Sequence, residues 1–328
     1  MTTKLTPFSN IVGQNAAKKQ LRFYLRGFDA TEIVPHIMLV APKGAGKTMI
    51  GKQFGRELNS ISQKHGSKKK IVTINCAGIR SVDSFLNDYI IPYCMEEPCT
   101  LFLDECSELP KQVAMALLTI LNPNKDNRNS FTYKEFEWDV DFRRISFLFA
   151  TTEAQDVFHA LMDRCERIDL TEYSNEEIAE IIKRSVTDIK FSDKILSLIT
   201  PTCKGTGRKA YQIAQKIQSD CASRKSKNKS LGTLVFNHKN WKQLSHELDI
   251  LPLGINQTEL KLLRILLRYG YCRLTNLAAK MNMTKSSIQR DGEIYLQQKN
   301  LIDIEQRGRY LTKEGRDLVM NINENCTV

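Results

Sequence analysis

The sequence predicts an α/β domain built on a parallel sheet, then a helical unit, then a small unit of three helices and a β-hairpin. Three observations carry that expectation. Residues 5 to 170 alternate short apolar β-like runs with helical stretches, the pattern of parallel strands joined through helices. A glycine-rich loop, Ala41-Pro42-Lys43-Gly44-Ala45-Gly46-Lys47-Thr48, follows the apolar run 37–40 and precedes helical periodicity. The pattern then changes twice, to helical spacing from Ser174 and to helices plus hairpin from Gly254. The expected domains are therefore 1–172, 173–253 and 254–328.

Candidate strands lie at 37–40, 71–75, 100–103, 146–150 and 167–170. In the helical unit the apolar stripes are Ile178, Ile181 and Ile182, then Ile195, Leu196 and Ile199, then Ile213, Ala214 and Ile217. The lysine-rich stretch 64–70 is expected as a surface loop. The acid-free run 223–230 is expected as a solvated linker. In the last unit, helices are expected at 259–268, with Leu260, Leu263 and Leu267 inward, and at 274–281. A third opens at Thr284, a plausible N-cap, before strand-like runs at 301–304 and 309–312.

Composition narrows the function classes. No apolar stretch approaches a membrane span, and the N-terminus lacks the charged and apolar regions of a signal peptide. The nine cysteines form no C-x-x-C pair, and Cys94, Cys99 and Cys106 fit no common zinc spacing. Reduced core thiols in a cytoplasmic protein are the expectation. The five histidines show no ligand spacing and are expected to be structural or solvent-facing. A net charge of +11 favours a polyanionic partner, nucleic acid above all.

The chemistry starts at the glycine-rich loop. Its glycines let backbone N–H groups turn inward as an anion nest, and the following helix N-terminus adds positive dipole. Lys47 is placed to reach β- and γ-phosphates of ATP, and the Thr48 hydroxyl to ligate Mg²⁺. Pro42, Lys43, Gly44, Ala45 and Gly46 complete the expected cradle. Ala41 stands where the G-x-x-x-x-G-K-[ST] pattern begins with glycine. Downstream, Leu101-Phe102-Leu103-Asp104-Glu105 is an apolar strand ending in two acids, at the sheet edge where open α/β sheets bind ligands. Asp104 is expected to hold the Mg²⁺ shell and Glu105 to polarise the attacking water. The strand 147–150 ends in Thr151-Thr152, hydroxyls able to sense a γ-phosphate. Leu161-Met162-Asp163-Arg164 follows shortly.

In this order the motifs resemble those of AAA+ ATPases, and the chain is most similar to the RuvB family of Holliday-junction branch-migration motors, from Pro7 to about Arg316. Ile11-Val12-Gly13-Gln14 resembles the family's I-G-Q element beside the adenine, which implicates Ile11 and Val12. Pro35-His36-Ile37-Met38-Leu39 resembles its D-H-V-L-L entry to the loop. Ala150-Thr151-Thr152 resembles its sensor 1, with Thr152 the candidate. Leu161-x-Asp163-Arg164 resembles its arginine-finger segment. Gly205-Thr206-Gly207-Arg208 resembles its G-T-P-R sensor 2, with Gly207 in place of proline.

The resemblance implies an ATP hydrolase assembled as a homo-oligomeric ring, a hexamer in that family. Arg164 would act on the nucleotide of a neighbouring subunit, with Arg167 the competing assignment. Arg208 would contact the nucleotide from its own lid. A β-hairpin is implied at 131–144, the family's docking site for its junction-recognition protein. From Glu135 the sequence alternates strictly, with Phe136, Trp138, Val140 and Phe142 on one face. Docking and packing on the domain itself are both open readings for that face. The last unit reads as a winged helix and resembles the family's C-terminal domain, including an Arg307-Gly308-Arg309 wing tip. Arg307 and Arg309, with Lys285 and Arg290 on the recognition helix, are the candidate contacts to double-stranded or branched DNA. An initiator-like or clamp-loader-like AAA+ protein, or a DNA-binding scaffold holding ATP structurally, is the alternative.

Overall fold

The computed structural model describes residues 7–95, 97–122, 126–228 and 234–325. The chain forms two compact units, Met1–Ser185 with Gly205–Gln212, and Val186–Lys204 with Ile213–Val328.

The first unit carries strands β1 (Ile37–Val40), β2 (Lys70–Asn75), β3 (Cys99–Asp104), β4 (Arg128–Tyr133), β5 (Phe136–Asp141), β6 (Ile145–Thr151) and β7 (Glu166–Asp169). Five of them make a parallel sheet in the order β2-β3-β6-β1-β7. Both faces are covered, so the central strands read as unbroken apolar runs. Ile37 and Leu39 face one core with Phe102, Leu148 and Ala150, under the helices Asn15–Thr31 and Lys47–Lys64. Met38 and Val40 face the other, with Leu101, Leu103, Phe147 and Phe149. The register aligns the strand ends that matter: Asp104 closes β3 opposite Asn75, and Thr151 closes β6 opposite Val40. The loop after β1 and the acids after β3 thus flank the hydroxyls after β6.

Two loop expectations give way to packing. Lys69, placed in a surface loop by its charged neighbours, is only 1% exposed. Its Nζ donates to the carbonyls of Arg143 (3.0 Å) and Arg144 (2.8 Å) and lies 5.4 Å from the Phe28 ring centroid, so the buried ammonium has polar partners in place of water. The basic run at 223–228 is not a linker but the end of the helix Gly207–Asn228; residues 229 and 230 lie outside the described residues.

The hairpin β4–β5 resolves the alternation at 135–142 into two parts. Val140, Phe142 and Phe131 are buried in the domain's own core, with Trp138 packed partly against it, whereas Phe136 at the turn is 67% exposed. Packing on the domain itself therefore accounts for Phe131, Val140 and Phe142, and Phe136 is left to solvent.

In the second unit, β8 (Ile189–Phe191) pairs in parallel with β9 (Leu234–Phe236). The apolar stripes at 195–199 and 213–217 are buried. The C-terminal part contains helices Gln257–Tyr269 and Leu274–Met281, a helical stretch 285–298, the antiparallel pair β10 (Ile302–Glu305) and β11 (Gly308–Leu311), and the helix Lys313–Asn325. Its core holds Leu260, Leu262, Leu263 and Leu266, with Leu267 only partly buried. Glu259 is buried among them and receives Lys204 Nζ on both carboxylate oxygens at 2.7 Å. This is a winged helix with an additional C-terminal helix.

Candidate active site and nucleic-acid surface

Backbone conformation builds the phosphate loop. Gly44 (φ +84°) and Gly46 (φ +97°) both sit in the left-handed region that favours glycine. A Cβ on Gly46 would lie 2.7 Å from the Tyr173 hydroxyl, so this position is closed to larger residues for a second reason. Ala41 needs no such freedom. It extends β1, donating its N–H to the Thr151 carbonyl at 3.2 Å, and its methyl lies in the core. The departure from glycine therefore leaves the loop geometry intact.

Lys47 folds back over the loop, its Nζ donating to the carbonyls of Ala41 (2.7 Å) and Pro42 (3.3 Å). Burial pulls its pKa below the ordinary lysine value, while Glu105 and Asp104 oppose that pull. The Thr48 hydroxyl donates to Asp104 Oδ2 at 2.6 Å. This pair offers two hard oxygen donors at one point, the chemistry Mg²⁺ takes when phosphate and water supply its remaining ligands. Next to it, Glu105 adopts φ +56°, a strained conformation for a non-glycine residue, and Thr152 Oγ1 donates to its Oε2 at 3.4 Å. Thr151 is spent on structure: it is buried, and its hydroxyl accepts from the Glu153 N–H at 3.0 Å.

These groups open on a cavity of about 690 Å³. Val12, Lys43, Gly44, Gly46, Lys47, Thr48, Glu105, Thr152 and Arg208 all line it. Ile11 does not. Its side chain is buried in the core beneath, because the Asn10–Val12 segment turns Asn10 and Val12 outward instead. Ala45 is likewise a core residue, and with Pro42 it serves the loop through its backbone, Ala45 N–H to Pro42 carbonyl at 3.3 Å. Sequence reasoning missed Tyr173, Arg184 and Tyr211 on the cavity wall. Helical spacing pairs Arg184 with Ile181, but nothing local marks Tyr173. Gln14 ties the wall together, its amide donating to Thr171 O (2.7 Å) and Ala45 O (3.4 Å).

Arg164 stands apart from this cavity. Its Nη1 donates to the Ala160 carbonyl at 2.9 Å, and its buried Nε has no partner. Arg167 is committed elsewhere, paired with Asp169 at 2.8 Å.

On the winged helix, Lys285 and Arg307 are exposed, and Arg290 is exposed beside Asp291 at 3.1 Å. Two expectations about the wing require correction. The turn is Gln306-Arg307, whereas Gly308 begins β11, and a Cβ there would meet the Cys272 carbonyl oxygen at 2.5 Å. Arg309 is no free phosphate contact. Its Nε and Nη2 donate to Glu293 at 2.8 and 3.2 Å, a pair whose side chains are only 13% and 3% exposed.

A parallel sheet with a phosphate loop, an Asp-Glu strand end and a winged helix defines an ATPase with a nucleic-acid-binding type of module. Residues 37–173 match the ATPase family associated with various cellular activities (AAA), and residues 252–320 match the RuvB C-terminal winged helix domain. The chain thus combines an AAA ATPase domain with a winged helix domain of the RuvB type. It is 25% identical over 319 residues to the Holliday junction branch migration complex subunit RuvB of Pseudothermotoga lettingae, covering 92% of this chain and 84% of that one. To the Mycoplasma genitalium subunit RuvB it is 23% identical over 323 residues, 96% of each. Its fold is similar to the solved Thermotoga maritima RuvB Holliday junction branch migration motor, with a TM-score of 0.72, 21% identity, and coverage of 95% and 96%. No helix among the described residues is long and apolar enough to cross a membrane.

Proposed function

We propose that this chain is a Mg²⁺-ATP-driven motor that moves double-stranded or branched DNA, as in Holliday-junction branch migration, and that it works as a homo-oligomeric ring, six subunits by analogy with the family. The observation that carries this reading is the Thr48–Asp104 pair at 2.6 Å beside Glu105 and Thr152, in a chain that ends in a winged helix. The loop Pro42–Thr48 and Lys47 hold the phosphates of ATP, with Val12 and Arg208 bounding the rest of the site. Thr48 and Asp104 would hold Mg²⁺, which would supply charge neutralisation on the phosphate oxygens. Glu105 orients and deprotonates the attacking water, and Thr152 fixes the Glu105 carboxylate through its hydroxyl. Arg208 reports nucleotide state to the helix Gly207–Asn228, in whose first turn it lies. Arg164, which does not line its own chain's cavity, is assigned to a neighbour's γ-phosphate. The modules are 1–172 for nucleotide, 173–253 for the lid, and 254–328 for DNA. The exposed Phe136 end of the hairpin suits a junction-recognition protein, and the reduced thiols suit the cytoplasm.

The direct test measures ATP hydrolysis with a four-way junction and with linear duplex. Stronger stimulation by the junction supports the branch-migration reading. Equal stimulation by both favours a general translocase or an initiator-like protein, and none by either removes DNA from the function.

A further inference from the structure

The winged helix carries a basic groove whose lining residues belong to neither its wing nor its recognition helix. Its first helix, Gln257–Tyr269, buries Leu260, Leu263 and Leu266, and turns Lys261, Arg264 and Arg268 to solvent. At 3.6 residues per turn these three lie within an arc of roughly 60°, along about 10 Å of helix. Lys280, from the following helix, closes the other side. Its Nζ sits 3.6 Å from the centroid of the Tyr269 ring, and the Arg268 guanidinium lies 5.4 Å from the same ring. With Ile265 these residues line a concavity of about 380 Å³.

The charge is uncompensated. Among the described residues no acidic side chain forms an ion pair with any of the four cations. From residue 257 to 290 the sequence holds seven lysines and arginines and one acid, Glu259. That acid is buried and occupied by Lys204, so it contributes nothing to the groove. Four like charges lining one concavity cost energy in the free protein, and a folded surface normally intersperses acids to avoid it. Arg264 is additionally oriented by Asn323 Oδ1 at 2.8 Å, a neutral partner that fixes the guanidinium without cancelling its charge.

We propose that this groove is a second nucleic-acid site, which grips the phosphate backbone of duplex DNA independently of the wing and the recognition helix. Four cations lining one concavity with no acid among them match a contact to the phosphate backbone. A backbone contact here, added to those of Arg307 on the wing and Lys285 and Arg290 on the recognition helix, restricts the orientation of the duplex further. The inference rests on the DNA-acting reading above.

The test uses the full chain and a triple variant, Lys261→Gln with Arg268→Gln and Lys280→Gln, on two 30-base-pair duplexes of unrelated sequence. Thermal midpoints check folding, since all three side chains are exposed. We expect affinity to fall about tenfold or more on both duplexes, and the slope of log affinity against log salt to become shallower by about 2 to 3. The charge-preserving triple, Lys261→Arg with Arg268→Lys and Lys280→Arg, should bind like the parent. Unchanged affinity and slope in the glutamine variant, with a parent that binds duplex, would overturn the groove alone and point to an acidic protein surface as its occupant. A parent that binds no duplex at low salt would overturn both the groove and the proposed function.

Discussion

The backbone N–H of Gly207 donates to the carbonyl of Gly44 at 3.0 Å, joining the start of the helix Gly207–Asn228 to the glycine-rich loop. Proline, the family's residue at this place, has no N–H to give. A Cβ at Gly207 would also come within 3.1 Å of the Tyr173 ring. The departure from the family's pattern is thus a gained contact, and it restrains the loop residue whose φ is +84°. Replacing Gly207 with proline removes a hydrogen bond worth about 0.5–1.5 kcal/mol. Stiffening of the unfolded chain, about 0.4–1 kcal/mol, does not offset this where the N–H was hydrogen-bonded and the ring meets Tyr173. The thermal midpoint should therefore fall, and nucleotide binding should weaken about two- to tenfold because the loop loses a restraint. Calorimetric titration with ATP of the Gly207→Pro variant checks this; an unchanged dissociation constant would show the contact to be incidental.

Lys47→Ala and Glu105→Gln should fail differently. The first removes charge-assisted hydrogen bonds worth about 1.5–3 kcal/mol, so nucleotide binding should fall about 10- to 150-fold. The second leaves the loop and the Thr48–Asp104 pair untouched, so it should bind ATP but turn it over about 10²–10⁴ times more slowly. Parental turnover in Glu105→Gln would remove that residue from the role of base.

Arg164→Ala should retain ATP affinity, because the side chain does not line the cavity, and lose about 10³–10⁵ in hydrolysis rate once assembled. Mixed with Glu105→Gln it should recover part of the activity, one chain supplying the arginine and the other the base. Verified co-assembly without recovery would argue for a role within a single chain.

His36 gives the domain a pH dependence of known sign. It packs edge-on against Phe142 and Phe147, its Nε2 lies 3.3 Å from the Leu121 carbonyl, and burial lowers its pKa from 6.5 to about 4. Between these values the unfolded chain takes up a proton that the folded chain refuses. Stability is therefore fully present above pH 6.5 and declines as pH falls toward 4, by about 3 kcal/mol in all. His36→Gln should flatten the stability profile across that window. An equally steep decline in the variant would assign the acid sensitivity to other groups.

What the sequence made legible was whatever depends on neighbours along the chain. β1 and the strand ending in Asp104 were readable because strands buried on both faces show unbroken apolar runs. The order of loop, acids, hydroxyls and arginine followed from those strands. What stayed hidden depends on partners distant in sequence. Lys69 reads as a solvated lysine until the carbonyls of Arg143 and Arg144 close over it. Ile11 reads as a site residue by motif, yet faces the core. The cation spacing at 261, 264 and 268 was visible in the sequence, but the approach of Lys280 to Tyr269, which makes the row a groove, was not.

The two wing arginines should separate cleanly. Arg307 is exposed at the turn and has no structural task in the pair β10–β11, so Arg307→Ala should leave the thermal midpoint unchanged. Its cost should appear only in duplex binding, as a salt slope shallower by about 1. Arg309 faces the opposite way energetically. It is the partner of Glu293, which lies 3% exposed on the preceding helical stretch. Arg309→Ala would leave that carboxylate buried without a counter-charge, a loss of about 3–5 kcal/mol. Its binding defect should then track unfolding, and replacing both residues together, Arg309→Met with Glu293→Leu, should restore most of the stability because neither a lone charge nor an unpaired polar group remains buried. Denaturant melts of the three variants beside duplex titrations decide the matter. If Arg309→Ala were as stable as the parent but weak in DNA binding, Arg309 would be a phosphate contact after all, and the ion pair with Glu293 would be dispensable.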